Sequence, residues 1–276
     1  MGLIQVPFLN NLHIVGEKMP YITLRNNETI FYDEYGSGTP VLFIHPPGMG
    51  RKVFFYQKQL KKYMRLIIPD LSGHGDSSFI NTKEVSVKTY AEEIIMLMDE
   101  LSLKEVVLYG YSAGGMIAQY ICSHYKERVK GLILSGGYPA VLNPPFQLEH
   151  KLGIYFAAKH RMILTNVLAI SHTRNKKLRK ILKTHMDKAH TKAWYSYYES
   201  VLCTNLIKNV SSFRKPVLLI YGDKADILNK YVRIYKKIFK NNMRAVFIKG
   251  VGHQHVTKKW KQENYCIYQF VNKIKG

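Results

Sequence analysis

The sequence predicts an α/β fold with a mostly parallel sheet, because strand-like and helical segments alternate along the chain. The run EVVLYG at 105–110 has the composition of a buried strand, the segment at 113–129 is amphipathic, and VKGLILSGG at 129–137 is again strand-like. Buried parallel strands form continuous apolar runs of this kind. Their alternation with helices predicts a parallel sheet that is covered on both faces.

The first part of the chain follows the same plan. Two alternating apolar stretches at 21–38 flank a pair of asparagines, which predicts a β-hairpin. The runs PVLFIHPPG at 40–48 and RLIIPDLSGHGDSS at 65–78 each begin as a buried strand and end in a loop. Between them, the basic segment at 51–62 is predicted to be a helix.

A helix is also predicted at 86–102, where apolar residues recur every three or four positions behind a capping serine. Strand signals then stop between 138 and 213, where the chain is basic, rich in tyrosine and helical in pattern. We expect this insertion to form a cap over the sheet. The alternation resumes with KPVLLIYGD at 215–223, a helix at 229–240 and the strand MRAVFIKG at 243–250, before a final amphipathic helix.

These segments predict three parts of the chain. The core comprises 19–137 and 214–276, the helical cap comprises 138–213, and an N-terminal extension at 1–18 is expected to lie outside the core. A length of 276 residues with 46% hydrophobic residues is sufficient for one large core.

Composition and charge narrow the class of protein. The formal net charge of +22 raises the hypothesis of a basic protein that binds nucleic acid or anionic lipid. The basic residues are spread along the chain without a nucleic-acid-binding motif, so nucleic acid is not expected as the partner. No apolar stretch is long enough to span a membrane, and we expect a cytoplasmic protein. The oligomeric state is left open.

The cysteine and histidine patterns predict neither a disulfide nor a metal site. Cys122, Cys203 and Cys266 are far apart and odd in number. Five histidines occur between His150 and His190 without cysteine or carboxylate at ligand spacing, so they are interpreted as scattered polar residues. We expect no cofactor and no metal.

A serine lies at the point where a predicted strand meets a predicted helix. The residues 110–114 read Gly-Tyr-Ser-Ala-Gly, with an apolar run before them and a helical segment after them. A serine hydroxyl becomes a nucleophile when it is exposed at a strained turn beside a base and beside N–H donors. The flanking glycines permit such a turn, and Ser112 is therefore the candidate nucleophile.

The candidate base is a histidine near the end of the chain. His253 follows Gly252 just after the last predicted strand, where its side chain can reach the carboxyl ends of the parallel strands. His255 competes with it, but His255 is expected to begin the final helix. We therefore prefer His253.

Taken together, these segments resemble the α/β-hydrolase superfamily over almost all of residues 20–274. The matching pieces occur in the family's order and are FIHPPG, PDLSGHGDSS, GYSAGG, LLIYGDKAD and GVGHQ. The resemblance implies an eight-stranded, mostly parallel sheet with helices on both faces, an inserted helical cap, no cofactor, and hydrolysis of an ester or related acyl bond.

The resemblance also implies a role for each site residue. Ser112 would attack a carbonyl, His253 would take its proton, and the N–H of Ala113 would be one oxyanion donor. The second donor would usually lie at Pro47, which has no N–H, so Gly48 or Met49 is expected instead. Asp70, His74, Asp76 and His45 match family positions that are mainly structural.

The acidic residue of the expected triad is the second position, after Pro47, at which this chain departs from the family pattern. The carboxylate would usually lie three residues after Gly222, where this chain has Ala225. Asp226 is preferred as the acid, with Asp223 as the alternative.

The favoured hypothesis is a cofactor-free serine hydrolase that cleaves a carboxylic ester of a small to medium apolar substrate through an acyl-enzyme. Aromatic cap residues are expected to line or cover its pocket, or else to form the cap core; they are Trp194, Tyr195, Tyr197 and Tyr198. The alternative is a binding or regulatory protein that retains the fold with a weakened site, as the departures at Pro47 and Ala225 would allow.

Overall fold

The computed structural model describes residues 21–274 apart from 83 and 225, and at 226 and 227 it describes the backbone alone. The predicted N-terminal extension at 1–18 lies outside the described residues.

Eight strands form one sheet, as the resemblance implies. In chain order they are β1 (Tyr21–Thr23), β2 (Thr29–Tyr35), β3 (Pro40–Ile44), β4 (Arg65–Pro69), β5 (Val106–Tyr111), β6 (Val129–Ser135), β7 (Val217–Gly222) and β8 (Met243–Ile248). Their order across the sheet is β1-β2-β4-β3-β5-β6-β7-β8. The pairs β1–β2 and β2–β4 are antiparallel and the rest are parallel, so the predicted fold class is confirmed.

Helices follow most of the parallel strands. They are α1 (Val87–Glu100), α2 (Gly114–His124), α3 (Pro144–Lys159), α4 (Arg161–His172), α5 (Lys176–Met186), α6 (Thr191–Cys203), α7 (Asp226–Asn229), α8 (Tyr231–Phe239), α9 (His255–Lys258) and α10 (Trp260–Lys273). Short 3₁₀ turns occur at Arg51–Phe54, Gln57–Lys62, Lys126–Arg128, Asn209–Ser212 and Lys240–Asn242.

The segment at 51–62 differs from its prediction. It forms two 3₁₀ turns that are separated by Phe55 and Tyr56, whereas the basic pattern predicted one helix. The backbone N–H of Arg51 donates to the Asp70 carboxylate at 2.6 Å, and Phe54 is buried against the sheet. These tertiary contacts outweigh the weak helical preference of a short segment.

Both faces of the sheet are buried, which explains the continuous apolar runs. On β3, Val41 and Phe43 belong to one cluster of buried side chains, while Leu42 and Ile44 belong to the other. Because side chains alternate between the faces of a strand, the two clusters lie on opposite faces.

The helices α3 to α6 lie between β6 and β7 and form the insertion that the loss of strand signals predicted. We call them the cap helices; the division of the chain into domains stays a prediction. One contact that attaches them to the core is at His185 of α5, whose Nε2 lies 2.9 Å from Asp70 Oδ1 just after β4.

Among the described residues, no helix is both long enough and apolar enough to cross a lipid bilayer.

Candidate active site

Ser112 lies in a sharp turn between β5 and α2. Its φ is +53°, a conformation that is strained for a residue with a Cβ atom. The flanking glycines make the turn possible: a Cβ at Gly110 would lie 2.5 Å from the Cα of Gly115, and a Cβ at Gly114 would lie 2.2 Å from the carbonyl oxygen of Ile44. The close packing of α2 on β5 and β3 therefore requires glycine on both sides of the serine.

His253 lies on the loop between β8 and α9 and is hydrogen-bonded to this serine. Its Nε2 is 2.9 Å from Ser112 Oγ, although 141 residues separate the two in sequence. The ring of Tyr111 stacks on the imidazole with a centroid distance of 5.2 Å and an interplanar angle of 22°. The structure thus brings together the predicted nucleophile and the predicted base.

The environment of His253 keeps its imidazole neutral. Burial first, and then the neighbouring His255, His172 and His150, lower the pKa of His253 to about 3. A neutral imidazole whose Nε2 faces a hydroxyl can accept the proton of that hydroxyl.

His255, the competing candidate, has a different partner. It begins the short helix α9 and not the final helix α10, which begins at Trp260, and its Nδ1 lies 2.7 Å from Glu263 Oε2 on α10, with both side chains fully buried. The second oxygen of Glu263 accepts a hydrogen bond from Tyr109 at 2.6 Å. These hydrogen bonds attach the end of the His253 loop to α10 and to β5 in the core.

The other ring nitrogen of His253 has no hydrogen-bond partner among the described residues. Asp223, the alternative acid, is exposed, and its Oδ1 accepts from the backbone N–H of Gly250 at 2.9 Å. Asp226 begins α7, but its side chain lies outside the described residues. Of the two candidates, only Asp223 therefore has a described partner, and that partner is not His253.

The candidate oxyanion donors differ in their availability. The N–H of Met49 donates to the carbonyl oxygen of Pro46 at 3.3 Å. Within the described part of the chain, the N–H groups of Ala113 and Gly48 have no protein acceptor. Gly48, at φ +77°, has the backbone conformation of a glycine, and a Cβ there would overlap the ring of Trp194. The geometry therefore favours Gly48 over Met49 as the second donor.

Ser112 and His253 open into a cavity of about 650 Å³ between the sheet and the cap helices. Most of its wall is apolar, and α3 and α4 contribute ten of its 22 lining residues, including Phe156, Leu164 and Leu168. Such a cavity is typical of a site for a small organic ligand.

The aromatic residues of α6 divide between the cavity and the cap core. Tyr198 lines the cavity. Trp194 and Tyr197 are fully buried and do not line it, so for these two residues the cap-core alternative is correct. Trp194 packs on Gly48, and the Tyr197 hydroxyl lies 3.4 Å from the carbonyl oxygen of His45.

The sequence model of the protein family described as the alpha/beta hydrolase fold matches residues 39–190, which is more than half of the chain. The chain belongs to the alpha/beta hydrolase fold family.

Individual relatives of this hydrolase-fold protein differ in their coverage. The AB hydrolase superfamily protein YisY of Bacillus subtilis is 25% identical over 273 residues, which are 91% of this chain and 98% of YisY. The non-heme chloroperoxidase CPO-A1 of Kitasatospora aureofaciens is 33% identical over 129 residues, which are 45% of this chain. The matched segment spans about half the length of that chloroperoxidase and of several further relatives.

Among solved structures, the esterase EaEST from Exiguobacterium antarcticum superposes with a TM-score of 0.82. The comparison covers 94% of this chain and 100% of the esterase at 20% sequence identity. At this identity the similarity shows a shared fold.

The interpretation of the cap histidines as scattered polar residues was wrong for three of them. His150, His172 and His185 are buried, and each contacts a polar partner: Tyr138 at 2.9 Å, Tyr111 at 3.1 Å and Asp70 at 2.9 Å, respectively. A buried imidazole requires such partners. No local pattern in the sequence signalled two of these pairings, because Tyr111 and Asp70 lie 61 and 115 residues from their histidines.

Tyr111 is a site residue that the sequence interpretation missed. Besides stacking on His253, its hydroxyl lies 3.1 Å from His172 Nε2 and 3.3 Å from the carbonyl oxygen of His253. The signal was an aromatic residue directly before the serine at the end of a fully buried strand.

Proposed function

We propose that this hydrolase-fold protein is a serine hydrolase that cleaves a carboxylic ester, or a related acyl bond, of a small to medium apolar substrate. The observation that carries the proposal is the 2.9 Å hydrogen bond between Ser112 Oγ and His253 Nε2 in a strained turn at an apolar cavity.

In the proposed mechanism, Ser112 Oγ attacks the carbonyl carbon of the ester while its proton passes to His253 Nε2. The negative charge that develops on the carbonyl oxygen is stabilised by the N–H groups of Ala113 and Gly48. When the tetrahedral intermediate collapses, the bond to the alcohol oxygen breaks and that oxygen takes the proton from His253. Water then attacks the acyl-enzyme by the same route, which releases the carboxylic acid and restores Ser112.

The positioning of His253 requires an acceptor for the proton on Nδ1, and we assign this role to Asp226. Asp223 is the alternative, but its carboxylate accepts a hydrogen bond from the backbone N–H of Gly250, on the loop between β8 and α9. A carboxylate at Nδ1 fixes the tautomer of the base and stabilises the imidazolium that forms during attack.

The names of the relatives do not determine the bond that is cleaved, because they include both an esterase and a chloroperoxidase. The ester assignment rests on the chemistry of the serine and on the apolar wall of the cavity. No described residue in this mechanism requires a cofactor.

The proposal is tested with p-nitrophenyl esters of increasing acyl length and with a fluorophosphonate, which labels an activated serine covalently. We expect the protein to hydrolyse the esters and to be labelled, and Ser112→Ala to lose both properties, with a rate loss of about 10⁴-fold or more. Ser102→Ala is the matched control, because Ser102 is exposed and has a similar φ of +52°.

Labelling without turnover would favour an acyl-binding protein with a weakened site. Absence of labelling in a folded protein, or full activity of Ser112→Ala, would refute the serine mechanism and favour the hydrolase-fold binding protein.

A further inference from the structure

The outer surface of α3 carries apolar side chains where a water-soluble protein normally has polar ones. Leu148, Leu152 and Tyr155 are each about half exposed, with exposures of 57%, 47% and 52%. Their spacing of four and three residues places them on one face of the helix.

The neighbouring helix α4 continues this surface. Met162, Ile163, Val167 and Ile170 expose between 52% and 68% of their surface, and they recur at helical spacing. We call these four residues, together with Leu148, Leu152 and Tyr155, the apolar cap face. Contiguous apolar surface of this kind marks an interaction site.

The active-site cavity reaches the apolar cap face. Leu152 and Val167 are exposed members of that face and also line the cavity that contains Ser112 and His253. The face therefore surrounds an opening of the cavity between α3 and α4.

Basic side chains border the apolar cap face. A groove of about 230 Å³ between α4 and α5 is lined on one side by Ile170 and on the other by Lys176, Arg179, Lys180 and Lys183. Residues 148–186, which contain the apolar cap face and α5, hold nine lysines and arginines and one acidic residue, Glu149.

We propose that the apolar cap face docks on an anionic lipid bilayer, with its apolar side chains inserted at the headgroup boundary and the α5 lysines on the lipid phosphates. An amphipathic surface with apolar residues beside lysines has the composition that binds anionic membranes without spanning them. A second copy of the chain is disfavoured, because two such faces would bring like charges together. This docking goes beyond the proposed hydrolysis and does not depend on it.

The test is flotation of the full-length protein with vesicles of phosphatidylcholine alone and of phosphatidylcholine mixed with phosphatidylglycerol. We expect binding to the mixed vesicles that weakens as salt is raised. The double variant Met162→Glu/Ile170→Glu should lower that binding by about tenfold or more, because two inserted apolar side chains become charged. Neither residue lines the active-site cavity, so hydrolysis of a short soluble ester should be unchanged.

Two matched controls separate docking from general charge effects. Tyr265→Glu adds a charge to an exposed aromatic residue of α10 outside the cap and should leave vesicle binding unchanged. Lys176→Glu/Lys180→Glu should weaken binding to the mixed vesicles by about tenfold or more, whereas Lys236→Glu/Lys237→Glu on α8 should have a much smaller effect.

Ser112→Ala should bind vesicles as the parent does, which separates this proposal from the proposed reaction. Equal binding by the parent and by Met162→Glu/Ile170→Glu would overturn the docking surface. A second result would also overturn it: the parent protein does not bind the vesicles and sediments as a dimer, and the double variant sediments as a monomer. The apolar cap face would then be an interface between two copies of the chain.

Discussion

Two histidines of this hydrolase-fold protein, the buried His185 and the half-buried His253, have opposite hydrogen-bonding environments. His185 contacts the carboxylate of Asp70, which also accepts three further hydrogen bonds. Their donors are the Arg51 side chain, the Arg51 backbone N–H at 2.6 Å and the Asp76 backbone N–H at 3.0 Å. His253 contacts Ser112, and its Nδ1 has no partner among the described residues.

The cluster around Asp70 has the composition of a structural unit. Burial by itself raises the pKa of Asp70, but His185 and Arg51 outweigh burial and hold that pKa well below its usual range. Asp70, Asp76 and His185 bring potential metal-ligand atoms within 4.8 Å of one another, yet the Arg51 guanidinium is already bonded to both carboxylates. These ion pairs and the hydrogen bond between His185 and Asp70 attach α5 to the core.

The comparison teaches that residue type alone does not separate structure from catalysis. Both regions contain a histidine hydrogen-bonded to a polar side chain, but the structural cluster satisfies the polar atoms of Asp70 internally, whereas the site at Ser112 faces a cavity and keeps hydrogen-bonding capacity for a substrate. Each prediction below changes one side of this comparison.

The largest effect is expected at the acid of the site. Asp226→Asn should lower kcat by about 10⁴-fold if its carboxylate supports the His253 imidazolium, whereas Asp223→Asn should do little. A carboxylate beside His253 opposes the surroundings that lower its pKa to about 3. Because the neutral imidazole is the active form, Asp226→Asn should also move the acidic limb of the kcat/KM profile to lower pH.

The reverse pattern between the two variants would assign the acid to Asp223. If both variants retained full activity, His253 would work without a carboxylate, and Ala225→Asp, which restores the family's spacing, should then raise the rate.

The next effect concerns the structural cluster. Asp70→Asn removes the fully buried negative charge that lies against Arg51 and His185, although Arg51 keeps its ion pairs with Asp33 and Asp76, so the free energy of unfolding should fall by about 3–5 kcal/mol. Denaturant unfolding at neutral pH measures this loss. Asp99→Asn is the control, because Asp99 is exposed and its ion pairs with Arg25 and Arg128 lie at the surface, so their removal should cost less than about 1 kcal/mol.

The activity of the folded fraction of Asp70→Asn should stay close to that of the parent. A large loss of kcat at unchanged stability would contradict the structural role of the cluster.

The smallest effect is expected at the wall of the cavity. Tyr198 lines the cavity, so Tyr198→Ala should change the ratio of kcat/KM between long and short acyl esters by about tenfold. Tyr195 on the same helix is partly buried and does not line the cavity, so Tyr195→Ala should leave that ratio unchanged. Equal ratios in both variants would show that the acyl chain does not reach Tyr198.

The sequence by itself predicted the order of strands and helices, the hairpin at the start, and the positions of Ser112 and His253. These features depend on local signals: continuous apolar runs define buried strands, and glycines around a serine permit a strained turn. The resemblance to a known family then supplied the order in which distant pieces meet.

Tertiary structure decided what local signals could not. The burial of Trp194 against Gly48 and the pairing of His185 with Asp70 both depend on which distant segments of the chain meet in the folded protein. The 3₁₀ turns at 51–62 have the same origin, since a contact to Asp70 replaced the helix that the pattern predicted. The apolar faces of α3 and α4 also depend on tertiary structure. Helical periodicity shows that a face is apolar, but only packing decides whether protein or solvent covers that face.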